Sequence, residues 1–269
     1  MPSMICPNCR TLIHTDEQRC PNCGAYRPGL WGFGTTLSRV FGGQIDVLTL
    51  IPSVCIALYL LSLVLDLGSA LQSRGGMFGM LSPGPWPLRL LGMTGGGAPW
   101  YTLITANYLH GSLLHILFNV LWIRQLGPEL GNCYGSARFF IIYTCAGVFG
   151  FFLSNTMSGA PTIGASAAIF GLFAALIVYG RNRGGAAVMM TRQVWQWAIL
   201  LFVFGFMMSG VNNWAHLGGF IGGWIAARLL VKGSDYAEGR VIILVALALI
   251  VLTAAAFVLS ILNHVKLPF

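Results

Sequence analysis

Apolar runs recur seven times along the chain, at roughly 47–67, 110–127, 139–156, 165–180, 195–209, 214–231 and 241–262. A bilayer's hydrocarbon core is about 30 Å thick and takes about 17 to 25 helical residues to cross, so each run is a candidate span. Composition agrees: 56% of residues are apolar types and only 8% are charged, with a mean hydropathy of +0.76, far from the usage of a soluble domain. The expected class is an all-α polytopic membrane protein. Met1 to Arg27 is polar and Cys-rich and has no apolar core, so it does not read as a signal peptide.

The net charge of +8 is informative by position rather than by size, and no nucleic acid partner is expected from it. Arg10, Arg19, Arg27 and Arg39 precede the first span. Arg124 and Arg138 flank the second-to-third connection, Arg181, Arg183 and Arg192 fill the fourth-to-fifth, and Arg228, Lys232 and Arg240 lie between the sixth and seventh. The third-to-fourth and fifth-to-sixth connections carry no Lys or Arg. The positive-inside rule then puts the N-terminus in the cytoplasm of a multi-pass cell-membrane protein and points the starts of spans four and six outward. The long segment 68–109, with Arg74 and Arg89, falls outside.

Four of the seven cysteines form two identical knuckles, Cys6-Pro-Asn-Cys9 and Cys20-Pro-Asn-Cys23. Paired thiolates two residues apart suit tetrahedral Zn²⁺, which takes four sulfurs at about 2.3 Å. Two disulfides are the alternative, and a reducing cytoplasmic location favours metal over them. So short a segment holds too few residues for an apolar core, which leaves a structural zinc ion as the element that folds a ribbon over 1–28. The segment resembles the zinc ribbons that open many bacterial membrane proteins. His14 is redundant beside four thiolates and reads as a surface residue. Residues 29–45 read as a flexible linker, and Cys55, Cys133 and Cys145 as small buried hydrophobes.

Polar groups inside spans are costly and therefore suggest function. Span two carries His110, His115 and Asn119, span four begins Gly164-Ala165-Ser166, and span six begins Asn212-Asn213-Trp214-Ala215-His216. His115 and Asn119 are four apart and share a helix face, with His110 about 140° around from His115. Both side chains donate hydrogen bonds without net charge, which suits an oxyanion in a low-dielectric site and equally suits helix–helix contact. Ser166 follows a glycine at a helix start, where its N–H has no intrahelical partner; a simple cap would look the same. The run from Ala165 to Gly180 rises about 24 Å, less than the hydrocarbon thickness, so Ser166 is expected below the surface, bordered by loop 157–164. His216 is expected at comparable depth, as the base a serine hydroxyl needs. Between residues 100 and 234 the one acid is Glu129, on the opposite side, so a Ser–His dyad without a carboxylate is the serine chemistry open to this chain. Gly218, Gly219, Gly222 and Gly223 give span six a small face, and Gly171 and Ala175 give one to span four, so the two can approach closely. Phe170, one turn past Ser166, is placed to pack on the imidazole or simply in the core.

These residues together resemble the rhomboid family: His110-x4-His115-x3-Asn119 in span two, Gly164-Ala165-Ser166-Ala167-Ala168-Ile169-Phe170-Gly171 in span four, and Ala215-His216-Leu217-Gly218-Gly219 with Gly223 in span six. The resemblance covers residues 47–232. It implies a six-helix bundle with its active site opening outward, Ser166 as nucleophile and His216 as general base and then acid. It also implies an oxyanion hole of His115, Asn119 and the Ser166 N–H, Phe170 stacked on His216, supporting places for His110 and Gly164, and substrates that are single-pass transmembrane proteins cut in or near their spans. The chain departs from the family pattern in having Tyr101-Thr102 after Trp100 instead of Trp-Arg, Gly131 to Cys133 where acidic and Arg residues are usual, and Ala167 after the serine.

The expected organisation is a zinc ribbon at 1–28, a linker at 29–45, a catalytic core at 46–232, and a connecting loop with a seventh helix at 233–269. An inactive relative that binds membrane clients is the alternative function. A transporter is disfavoured by the scarcity of acids, and a metalloprotease by the lack of His-Glu-x-x-His. Expected partners are transmembrane substrates, the lipid bilayer, and an unknown cytoplasmic partner of the ribbon.

Overall fold

The computed structural model describes residues 3–6, 9, 11–14, 17, 19–24, 47–72, 79–208, 210–230 and 239–264. The expected linker at 29–45 and most of the loop expected from 233 lie outside these residues. Each of the seven apolar runs carries a long helix: α1 (Val47–Leu65), α5 (Leu113–Tyr134), α6 (Ser136–Met157), α7 (Ser166–Arg183), α8 (Ala186–Met207), α9 (Asn213–Leu230) and α10 (Arg240–His264). Short helices α2 (Leu67–Leu71), α3 (Pro85–Leu90) and α4 (Thr102–Thr105), then a 3-10 turn at Ala106–Tyr108, fill the connection from α1 to α5.

Boundaries follow local chemistry. The second span opens at 113 rather than 110 because Ser112 adopts extended backbone and its Oγ accepts the His115 N–H at 3.3 Å, an N-cap. His110 therefore precedes the helix, and the helical angle expected between it and His115 does not apply. Gly135 and Gly184, with φ of 83° and 70°, end α5 and α7 where a side chain would be strained. α8 starts well before residue 195, since Arg192 and Gln193 interrupt the apolar run without breaking the helix.

Among the described residues three helices, α1, α6 and Val241–His264 of α10, are long and apolar enough to cross a membrane by length and composition. The other four long helices dilute their apolar runs with Gly, Asn, Gln and Arg. In α7 alanines and Gly171 serve the interior: every residue from Ala167 to Val178 is buried, the mark of a central helix enclosed on all sides. α9 lies against both α6 and α7, α8 against α7, and α1 against α5.

Glycines set the closest approaches. A Cβ at Gly219 would collide with the Ala167 carbonyl, and one at Gly223 with the backbone of Gly171, so this stripe of α9 lies directly on α7. The neighbouring stripe, Gly218 and Gly222, lies on α6, where an added Cβ would come within 2.9 Å of Gly150 Cα and 2.7 Å of Phe149 Cβ. The sequence suggested one neighbour for the glycines; there are two.

α10 docks on the connection before α5. Ser260 Oγ donates to the Leu90 carbonyl at 2.9 Å, Phe257 meets Tyr108 edge-on at 6.0 Å, and Ala256 is buried with Tyr101 and Ile104. Tyr101, the first of the two residues found in place of Trp-Arg, is thus a core residue. Cys55 is buried, but Cys145 is exposed on α6, which corrects the expectation of a buried hydrophobe. In hydrocarbon an outward thiol has no desolvation cost to avoid.

At the N-terminus β1 (Ser3–Ile5) pairs antiparallel with β2 (Leu12–His14), aligning Ser3 with His14 and Ile5 with Leu12. Ile13 packs against Cys6 and Cys20. His14 is exposed, as a surface residue should be.

Candidate active site and metal cluster

Gly164, with φ of +120°, turns the chain into α7 and donates its N–H to the Ala106 carbonyl at 2.9 Å, tying this turn to the 3-10 segment. Ser166 is the first residue of α7. Its N–H belongs to the first turn and has no i−4 partner within the helix. Across from it the glycine stripe of α9 holds His216, 8% exposed, with Nε2 3.0 Å from Ser166 Oγ.

The other ring nitrogen, Nδ1, is 3.1 Å from Asn213 Oδ1. An amide oxygen only accepts, so Nδ1 carries the hydrogen and Nε2 is left free to take one from the serine hydroxyl. Phe170 stacks on the same imidazole, ring centroids 4.4 Å apart and 17° from parallel. Three contacts therefore fix one ring.

His115 is oriented by the same logic from another element. The Gly111 N–H donates to His115 Nδ1 at 3.3 Å, which puts the ring hydrogen on Nε2. That nitrogen faces Gly164, where an added Cβ would come within 2.5 Å of it. Gly164 is thus required twice, for its backbone angle and for the space the His115 ring occupies. Asn119 Nδ2 donates one hydrogen to the His115 carbonyl at 2.7 Å and keeps a second. Buried His110 stands edge-on to His115 at 5.0 Å, and neither of its ring nitrogens reaches a hydrogen-bond partner among the described residues.

All the residues expected at this site gather at one end of the bundle, while Arg181, Arg183 and Arg228 lie in the last turns of α7 and α9 at the other. Two features were not singled out from sequence. Asn213 sits one turn before His216, and its i, i+3 spacing on one helix was the available signal. The second is a hydroxyl network: Asn212 Nδ2 reaches Ser154, Ser158 and Thr162 hydroxyls at 2.7, 3.0 and 3.0 Å, and Thr94 bonds Asn155 and Thr102 while bridging to Thr162. It ties the start of α9 to the end of α6 and to both flanking loops, and nothing local in the sequence announces it.

In the ribbon, Cys6 Sγ and Cys23 Sγ are 3.8 Å apart and Cys9 Sγ and Cys20 Sγ 3.5 Å, with all four sulfurs within 4.8 Å of one another. These are far beyond disulfide length. A tetrahedron with metal–sulfur bonds of 2.3 Å has edges of about 3.8 Å, so the four thiols fit a metal ion. The Thr11 hydroxyl, 3.4 Å from Cys9 Sγ, and the Thr11 backbone hold that thiol down to about 5.

Fold and site define a helical membrane protein in which a serine and a histidine from two packed helices share a hydrogen bond. Residues 97–233 match the Rhomboid domain, half of the sequence, and the chain belongs to the rhomboid family. It is similar to the rhomboid protease GluP of Bacillus subtilis (strain 168), 35% identical over 55% of this chain and 30% of that protein. It is also 35% identical to the putative rhomboid protease YdcA of the same organism, over 51% of this chain and 70% of the relative. The rhomboid protease GlpG of Serratia proteamaculans (strain 568) is 29% identical over 46% of each chain. The match thus spans under a third of GluP and about half of GlpG.

Proposed function

We propose that this protein is an intramembrane serine endopeptidase that cuts single-pass membrane proteins in or near their spans, with Ser166 as nucleophile and His216 as base. The observation that carries the reading is the 3.0 Å contact between His216 Nε2 and Ser166 Oγ, with Asn213 on the far nitrogen. The Ser166 hydroxyl gives its proton to Nε2 as Oγ bonds the scissile carbonyl carbon. The oxyanion is received by the Ser166 N–H, His115 Nε2–H and the second hydrogen of Asn119 Nδ2, donors aimed before charge develops. His216 then passes its proton to the amide nitrogen, the C–N bond breaks, and an ester remains on Ser166. Water, deprotonated by His216, hydrolyses the ester and returns the hydroxyl its proton. With no carboxylate in range among the described residues, Asn213 takes over the orienting part of a triad's acid but supplies no charge.

The core that performs this chemistry is assigned to 46–232, between the 1–28 ribbon with its 29–45 linker and the seventh helix within 233–269. The arginine-rich end is assigned to the cytoplasm, which opens the Ser166 end outward and puts the ribbon inside. Cys6, Cys9, Cys20 and Cys23 would hold zinc, the ion that four-thiolate knuckles favour, in a purely structural role. The ribbon is assigned to docking a cytoplasmic partner or regulation. Unchanged activity, abundance and partner set after deletion of residues 1–28 would sink that role.

A fluorophosphonate probe on the detergent-solubilised chain tests the activity. Labelling of wild type, lost in both Ser166→Ala and His216→Ala, is the expected result. A folded wild type that stays unlabelled beside a labelled control membrane serine protease overturns it in favour of a client-binding relative.

A further inference from the structure

An open apolar depression of about 340 Å³ lies between α8 and α9 and is lined by Trp195, Phe220, Ile221, Trp224 and Ile225. Its aromatic wall is continuous: Trp195 and Phe220 are 5.3 Å apart by ring centroid, and Phe220 and Trp224 are 6.0 Å apart. On α9 the residues Phe220, Trp224 and Arg228 follow at intervals of four, one above another on a single face. From Phe220 to Arg228 the groove therefore descends roughly 12 Å toward the arginine-rich end.

Two guanidinium groups close that end. Arg181, from the last turn of α7, lies 5.3 Å from the Trp224 ring, and Arg228 lies 6.0 Å from it. Both side chains are exposed, and no described carboxylate forms an ion pair with either. Asp235 and Glu238 follow in sequence outside the described residues. The combination has a direction: an apolar, aromatic-walled channel at hydrocarbon depth, then a tryptophan at the level where indoles meet headgroups, then two cations beyond it. Guanidinium pairs phosphate oxygens bidentately, and stacking on Trp224 holds both groups at the mouth before a ligand arrives.

We propose that this groove is a binding site for one anionic phospholipid of the leaflet on the arginine-rich side, its phosphate held by Arg181 and Arg228 and one acyl chain lying along Trp195, Phe220 and Trp224. Charge complementarity selects the occupant. A zwitterionic lipid offers the same chain but sets its own ammonium against the two arginines, and a neutral protein helix would leave both guanidiniums without an acceptor. The inference rests on the bundle's membrane location and not on the proteolytic reading, since neither Ser166 nor His216 lines the groove.

Native mass spectrometry of the full chain, released from detergent with phosphatidylglycerol or phosphatidylcholine, tests it. Wild type is expected to retain one phosphatidylglycerol in preference to phosphatidylcholine. The double variant Arg181→Gln/Arg228→Gln is expected to hold it about tenfold or more weakly, the effect of removing two cations from an anionic headgroup. Arg192→Gln, an exposed charge loss on α8 outside the groove, should leave retention unchanged. Inorganic phosphate should not displace the lipid, because it cannot fill the apolar channel. Equal retention of both lipids, equal loss in Arg192→Gln, displacement by phosphate, or a second copy of the chain in place of lipid each overturns the proposal.

Discussion

His216 is held by a hydroxyl, an amide and an aromatic ring, and each bond constrains a different freedom. Asn213 selects the tautomer, so Asn213→Ala should leave the imidazole in place under Phe170 but free to hold its hydrogen on the wrong nitrogen. We expect kcat to fall about tenfold, one hydrogen bond's worth, with KM little changed. Steady-state kinetics on a reconstituted substrate would check this, and a fall in kcat/KM carried by KM alone would contradict it. Gly164→Ala is the sharper test. Its Cβ would meet His115 Nε2 within hydrogen-bond distance, at a backbone angle that disfavours any side chain. If His115 is the oxyanion donor proposed, displacing it should cost on the order of 10²- to 10³-fold in kcat, while fluorescence-detected melting should show the bundle still folded. Ser166 and His216 were legible because a polar group in a span is costly and stands out. Asn213 was not, because an asparagine at a helix start passes as a cap.

At the level of whole helices, glycines determine which partners can touch. The two stripes on α9 were readable as a small face, but their division between α7 and α6 depends on the angle at which three helices meet, which no one-dimensional spacing encodes. The same holds for α10. Its apolar run announces a span, yet Ser260 bonds a carbonyl 170 positions away, and only the folded chain reveals that this helix buttresses the segment carrying the 3-10 turn, which Gly164 also grips. Phe257→Ala removes a half-buried ring from Tyr108 and should cost about 2 kcal/mol, below the range for a fully buried phenylalanine because the ring is partly exposed. Val258→Ala, on the exposed face, should cost close to nothing. Thermal melting in detergent separates the two, and limited proteolysis of 79–109 should show faster cutting in Phe257→Ala alone. Equal melting temperatures would mean that α10 merely accompanies the bundle.

Charge and metal chemistry meet at the scale of the whole molecule. Arg181, Arg183 and Arg228 lie at one end of the helices and Ser166 and His216 at the other, and four thiols outside any disulfide precede them. The proposed inward-facing N-terminus would account for both, because the same compartment that retains Lys and Arg also keeps thiols reduced. Metal should therefore copurify at one ion per chain and be lost in Cys9→Ala. The pH dependence has a defined sign. With its thiol held down to about 5 against an ordinary 9.0, Cys9 favours the folded ribbon in full only above about 9, and that contribution drains away as pH falls toward 5. Protons also compete with metal for the four sulfurs, so the proposed zinc should be released at acid pH, as a chelator would release it at neutral pH. Zinc-specific dye release against pH reads this directly. Serine labelling by the fluorophosphonate should persist after chelation, since Ser166 and His216 meet through helix packing that contains no thiolate. Loss of labelling on chelation would instead show that the ribbon's fold is coupled to the bundle and acts on the site from the opposite side of the membrane.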